Sequence, residues 1–194
     1  MQVTGQGITV FCSASTAVAP AYLETARALG TAIAEAGGVV IYGGAHVGCM
    51  GSVADAALAA GGRVVGVIPT LLVEKEVAHT GLTELIVVDT MHQRKAIMSE
   101  RAAAYVVLPG GFGTFEELFE VITWKQLGMH NRPIILVNVA GYYDAILAQV
   151  ALGIAELVIK PEYGQLFIAV ENVVDAMSVL AAAPEPELPI ETWF

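Results

Sequence analysis

Residues 105–127 read YVVLPGGFGTFEELFEVITWKQL, and the three parts of this stretch decide the fold. Residues 105–108 form a short apolar run, β-branched and aromatic, of the length of a buried strand. A glycine turn follows, and residues 114–127 then place apolar side chains at helical spacing. The same succession recurs along the chain. Further strand-like runs occupy residues 8–12, 39–42, 64–68, 85–88 and 134–137, and helical patterns cover 20–36, 50–60, 91–101, 142–152 and 173–181. Pro20 is suited to the first turn of the first helix, and Gly37-Gly38 to its end. Strands alternating with helices predict an α/β fold: a Rossmann-like parallel sheet flanked by helices, with right-handed crossovers. A ligand site is expected at the carboxyl ends of the strands.

The chain of 194 residues is 56% apolar and only 14% charged, which suits a sheet covered on both faces and also suits an oligomer. No linker or repeat divides it, so a single domain over residues 1–183 is expected, with a proline- and acid-rich tail at 184–194. In that tail Trp193 and Phe194 are candidates for docking on a neighbouring subunit. Residues 69–83 form the longest expected loop. Every apolar run is interrupted before the ~18 residues that a membrane span needs. Nine Lys plus Arg against nineteen Asp plus Glu leave a net charge of −10, which repels polyanions and argues against nucleic acid as a partner. A small phosphate ester remains compatible, because a few oriented N–H groups and cations hold it locally. Cys12 and Cys49 form no CxxC or Cys/His cluster, and the N-terminus lacks a signal-peptide pattern, so reduced thiols in a cytoplasmic protein are expected.

Two glycine turns lie between a strand and a helix: Gly43-Gly44-Ala45-His46-Val47-Gly48-Cys49-Met50-Gly51 and Pro109-Gly110-Gly111-Phe112-Gly113-Thr114. Gly43, Gly44 and Gly48 are candidates for a phosphate or ribose loop, although for either turn taken alone tight-turn geometry is the stronger reading. Neither turn fits GxGxxG, and Gly48 is followed by Cys49 and Met50 rather than the Lys and Ser/Thr of a P-loop. Dinucleotide binding and ATP hydrolysis lose their main support. His46, His79, His92 and His130 form no HExxH or similar pattern, so no metal and no cofactor is inferred. Ser13 and Ser15 lack a nucleophile elbow and are placed at most at the border of a pocket.

Thr114 and Glu117 have the S/T-x-x-E spacing of a capping box, which is the plain structural reading of Glu117. Glu116 reads as a first-turn acid favoured by the helix dipole. A phosphate on the Gly110–Thr114 backbone would tolerate these two acids only if cations intervene or if the carboxylates turn toward the sugar. There a carboxylate stabilises the positive charge of an oxocarbenium-like transition state. On its helix Arg94 shares a stripe with Ile97, Met98 and Arg101 and requires an anion, either a protein carboxylate or a ligand. Lys95 by itself reads as a solvated surface residue.

Met91-His92-Gln93-Arg94-Lys95, then Pro109-Gly110-Gly111-Phe112-Gly113-Thr114-Phe115-Glu116-Glu117, then Val121-Ile122-Thr123-Trp124 together resemble the Lonely Guy family. Its members are cytokinin riboside 5′-monophosphate phosphoribohydrolases, many misnamed lysine decarboxylases. The resemblance runs in order from about residue 8 to residue 144. It implies hydrolysis of the N-glycosidic bond of N6-modified AMP, and of AMP, to free base and ribose 5-phosphate. It implies Glu117 as the catalytic carboxylate and Arg94 as its partner. Substrate contacts are implied at Glu76, Arg94, Lys95, Gly110, Gly111, Phe112, Gly113, Thr114, Phe115, Glu116, Glu117 and Thr123. It also implies a homodimer with the site near the subunit interface. Ala45 and Cys49 stand where the family commonly has glycine and leucine, whereas the PGGxGTxxE motif is intact.

Rival readings are a broader purine nucleotide nucleosidase and a non-catalytic nucleotide or cofactor carrier. A lysine decarboxylase would require pyridoxal phosphate and a Schiff-base lysine. Lys95 is the only lysine inside these motifs, and no cofactor signature surrounds it.

Overall fold

The computed structural model describes residues 1–75 and 77–184. Glu76, Trp193 and Phe194 therefore lie outside the described residues.

Strands β1 (Gly7–Phe11), β2 (Val39–Tyr42), β3 (Arg63–Pro69), β4 (Glu84–Val88), β5 (Ala104–Val107), β6 (Ile134–Val137) and β7 (Ile168–Val170) form one sheet. Its order is β4-β3-β2-β1-β5-β6-β7, and every pairing is parallel. Helices α1 (Pro20–Glu35), α2 (Gly48–Ala59), α3 (Thr70–Val73), α4 (Met91–Glu100), α5 (Phe112–Gln126), α6 (Asp144–Ala155) and α7 (Val173–Ala182) fill the connections. This is the α/β, Rossmann-like sheet expected from the alternation of patterns.

Period-two alternation along the strands divides the core into two layers. In β1, Ile8 and Val10 pack with Leu29 and Ile33 of α1, Val53 of α2 and Leu180 of α7. Phe11 faces the other layer, with Met98 of α4, Leu118 and Val121 of α5, and Tyr143. The central strands are buried on both faces, which explains why they read as continuous apolar runs rather than alternating ones. Among the described residues no helix is long and apolar enough to cross a membrane.

Several local expectations are corrected. Helix α5 starts at Phe112, with Gly111 as its N-cap and no side-chain cap, so Thr114 and Glu117 form no capping box. Thr114 lies in the third helical position and Glu117 three residues further on, both buried. Glu116 follows the first turn rather than sitting in it. A capping box does occur at Thr90 and Gln93, ahead of α4. The helix expected at 142–152 begins later, as α6, because Tyr142 and Tyr143 are held in a turn. The Tyr143 amide donates to Asn138 Oδ1 at 2.7 Å, and the Tyr142 amide to Val139 O. The expected loop 69–83 contains α3, and its Ala78 bridges Ala45. Strand β7 had no counterpart in the sequence reading.

The strand order reverses direction between β1 and β5. Chain segments leaving these two neighbours diverge to opposite sides of the sheet, and the crevice they leave lies at their carboxyl ends. Ser13, after β1, donates its amide to Pro109 O, after β5, at 3.2 Å and so joins the two loops across this crevice.

Candidate active site

A cavity of about 260 Å³ occupies this switch point. Cys12, Ser13 and Ala14 contribute from the end of β1, Met50 from α2, and Met91 and Arg94 from α4. The rest of the wall is α5 and its N-cap: Gly111, Gly113, Thr114, Glu116 and Glu117.

The start of α5 faces the cavity with its backbone bare. The first closing bond is Phe115 N to Gly111 O at 3.0 Å, and the preceding amides of Phe112, Gly113 and Thr114 have no side-chain cap. Such amides, with the helix dipole behind them, attract an anion. A Cβ built on Gly111 or Gly113 meets nothing within 4 Å, and neither residue has a positive φ. Packing within the chain therefore does not require glycine there, whereas close approach of a ligand to the main chain does. Gly110 differs, because a Cβ there would overlap the Thr114 side chain. The turn is supported from below by two tyrosines: Tyr143 Oη donates to Leu108 O at 2.6 Å, and Tyr142 Oη to Gly110 O at 2.6 Å.

Glu117 projects from the same face of α5 as Gly113 and Thr114 and is 5% exposed. Burial pushes its carboxyl up to about 7, against the opposing influence of Arg94. A carboxyl poised there exchanges a proton near neutrality, as a general acid or base requires. Arg94 is equally buried; its Nη2 lies 3.9 Å from Glu117 Oε1, and its Nη1 lies 3.7 Å from Met91 Sδ. Arg94 Nε is buried without a hydrogen-bond partner. An orphaned donor of this kind costs about 1–3 kcal/mol, and an acceptor on a bound molecule would relieve that cost.

Lys95 is not the solvated residue that its position suggested. Its ammonium binds Glu116 Oε1 and, at 2.8 Å, Glu120 Oε1. Burial alone would lower the Lys95 pKa, but these two hydrogen bonds outweigh it and raise it. That is the opposite of the lowered pKa that activates a lysine nucleophile. The same pair holds Glu116 to α4, so a cation offsets the acid nearest the bare helix start.

Other implied contacts fall outside this cavity. Gly110 lines an adjoining cavity with Tyr22 and Tyr142, which shares Ser13 and Gly111 with the first. Phe112 is exposed, and Phe115 packs on Tyr142 and Tyr143. Thr123 is exposed and donates to Phe119 O at 2.7 Å. None of Gly43, Gly44 and Gly48 lines the cavity of Glu117. Gly44 and Gly48 have φ of 77° and 61°, and a Cβ on Gly48 would strike the backbone of Ala14 and Ser15. Their role here is turn geometry. The sequence reading missed Met50, Met91, Cys12 and Ala14 as cavity walls and both tyrosines as supports. The visible signal for Glu117 was its stripe: Thr114, Glu117, Leu118 and Val121 share one helical face and are all buried.

A doubly covered parallel sheet with an uncapped helix start and a buried acid at its switch point places the chain among the α/β proteins whose crevice lies at the carboxyl ends of the strands. Residues 50–180 match the protein family described as "possible lysine decarboxylase". The cytokinin riboside 5′-monophosphate phosphoribohydrolase of Rhodococcoides fascians is 44% identical over 178 residues, covering 91% of this chain and 90% of that protein. The enzyme of the same name from Mycobacterium tuberculosis is 42% identical over 93% of this chain and 97% of its own length. The chain belongs to this Lonely Guy family. In fold it is also similar to the molybdenum cofactor carrier protein of Chlamydomonas reinhardtii, with a TM-score of 0.71 at 20% identity, covering 92% of this chain and 97% of that one.

Proposed function

We propose that this chain hydrolyses the N-glycosidic bond of cytokinin riboside 5′-monophosphates, and of AMP, to free base and ribose 5-phosphate. The observation that carries the reading is Glu117, a buried carboxyl poised near neutrality beside the bare start of α5. Membership of the family supports it independently.

The 5′-phosphate sits on the amides of Phe112, Gly113 and Thr114, approached through the open space over Gly111 and Gly113. The ribose then lies toward Glu117. As the bond from C1′ to the base nitrogen breaks, its electron pair leaves with the base, and ionised Glu117 stabilises the oxocarbenium-like sugar. Water attacks C1′ and yields a proton to Glu117, and that proton is then passed through water to the nitrogen of the departing base, which leaves Glu117 ionised again. Arg94 favours the ionised form of Glu117 and offers Nε and the remaining donors to the substrate. Lys95 keeps Glu116 from opposing the phosphate.

The chain acts as a cytoplasmic homodimer. Phe112, Phe119 and Thr123 form one exposed stripe of α5, and Met91 is exposed on α4, so an apolar surface borders the cavity. Two buried free thiols suit a reducing compartment.

The test is release of ribose 5-phosphate by purified protein from AMP and from isopentenyladenosine monophosphate. Preference for the second supports the cytokinin reading, and equal rates favour a broad purine nucleotide nucleosidase. Tight binding without release of sugar phosphate would establish a carrier instead.

A further inference from the structure

We infer that Gly43 is a positioning residue for the reaction: its missing side chain is the seat of the Arg94 guanidinium, which a larger residue would push away from Glu117. This inference rests on the hydrolase reading above.

The segment from the turn after β2 into the start of α2 carries glycines at 43, 44, 48 and 51, and they are there for different reasons. Gly44 and Gly48 adopt positive φ, which side chains resist. At Gly51 a Cβ would overlap the His46 carbonyl, so rigid backbone excludes it. Gly43 has no positive φ, and its nearest neighbours are not backbone. A Cβ there would overlap Arg94 Nη2 and stand 2.9 Å from Arg94 Cζ and 3.2 Å from Met50 Cε. Nη2 is the atom that faces Glu117 Oε1. All three obstructed atoms are the far ends of flexible side chains, so the fold absorbs a methyl group at position 43 by moving the guanidinium. Glycine at this position protects the ion pair rather than the turn.

The consequences differ from those of a structural defect. A displaced guanidinium no longer favours ionised Glu117, so its carboxyl titrates at higher pH. A shift of about 1 Å in a catalytic group is enough to cost ~10²-fold in rate. Because the effect runs through Arg94, it is absent when Arg94 is absent.

The experiment compares wild type, Gly43→Ala, Arg94→Ala and the double variant, by steady-state kinetics on AMP and by carbon NMR titration of the Glu117 carboxyl. Gly43→Ala is expected to fold, to lose about 100-fold in kcat and to raise the Glu117 titration. The double variant is expected to match Arg94→Ala in both readouts. Should Gly43→Ala alone fail to fold, the double variant, free of the clash, folds and decides the question by the same comparison. Wild-type kcat and an unshifted titration in Gly43→Ala, or losses that multiply in the double variant, would overturn the inference. If wild type released no ribose 5-phosphate, the hydrolase reading would fall, while the Glu117 titration would still decide the link between Gly43 and Arg94.

Discussion

Arg94 Nη2 and Glu117 Oε1 stand 3.9 Å apart with both side chains 6% exposed, an ion pair buried at the switch point of the sheet but not closed into a short hydrogen bond. Desolvation outweighs the attraction, and Glu117 keeps its proton up to about pH 7. Such a pair is a poor stabiliser and a good reagent.

The first prediction follows from linkage. Glu117 in the folded chain titrates near 7 against an ordinary value of 4.5. Between these values the folded state binds more protons than the unfolded state, so the Glu117 contribution to stability falls as pH rises through the window. The full shift corresponds to at most about 3 kcal/mol. His130, lowered by burial to about 4, acts with the opposite sign, since its contribution is lost as pH falls. Urea denaturation of wild type and Glu117→Gln at pH 5 and pH 8 separates the two. The variant is expected to gain stability relative to wild type at pH 8 and little at pH 5; an equal difference at both would refute the shift.

Tyr143 supports the glycine turn ahead of α5 through Leu108 O from a fully buried position. Tyr143→Phe leaves that carbonyl unsatisfied at an expected cost of about 1–3 kcal/mol. Loss of this size in the urea midpoint, together with a raised KM for AMP, is the expected outcome. Tyr142→Phe, at a more exposed hydroxyl, is expected to cost less.

The proposed dimer surface is tested at Phe119, which is 45% exposed at the middle of the apolar stripe of α5. Phe119→Glu places a charge in that surface and is expected to give monomers by light scattering with the circular dichroism unchanged. A wild-type protein that is itself monomeric at micromolar concentration would remove the dimer from the account.

The pH dependence of kcat/KM reports Glu117 in the free enzyme. If the ionised carboxylate does the work, the rate rises with pH along a single-proton limb centred near 7. A rate that falls across the same interval would make the protonated carboxyl the active form.

The strands and most helices were legible because a doubly covered sheet writes them as apolar runs between glycine turns. Strand β7 was not, since three residues at the sheet edge are held by pairing with β6 rather than by any period of their own. Thr114 was mistaken for a cap because S/T-x-x-E spacing is common, while the real start, Phe112, is 92% exposed and offers no periodic signal. The burial that makes Glu117 reactive was half visible, in its stripe with Leu118 and Val121. The reason for Gly43 was not, because it depends on where Arg94 reaches from a helix in a distant part of the chain.

The most direct test is the Glu117→Gln variant assayed for ribose 5-phosphate release from AMP, alongside AMP binding by calorimetry. The account predicts at least ~10²-fold slower release with binding and fold retained. Hydrolysis at the wild-type rate by the folded variant would contradict it.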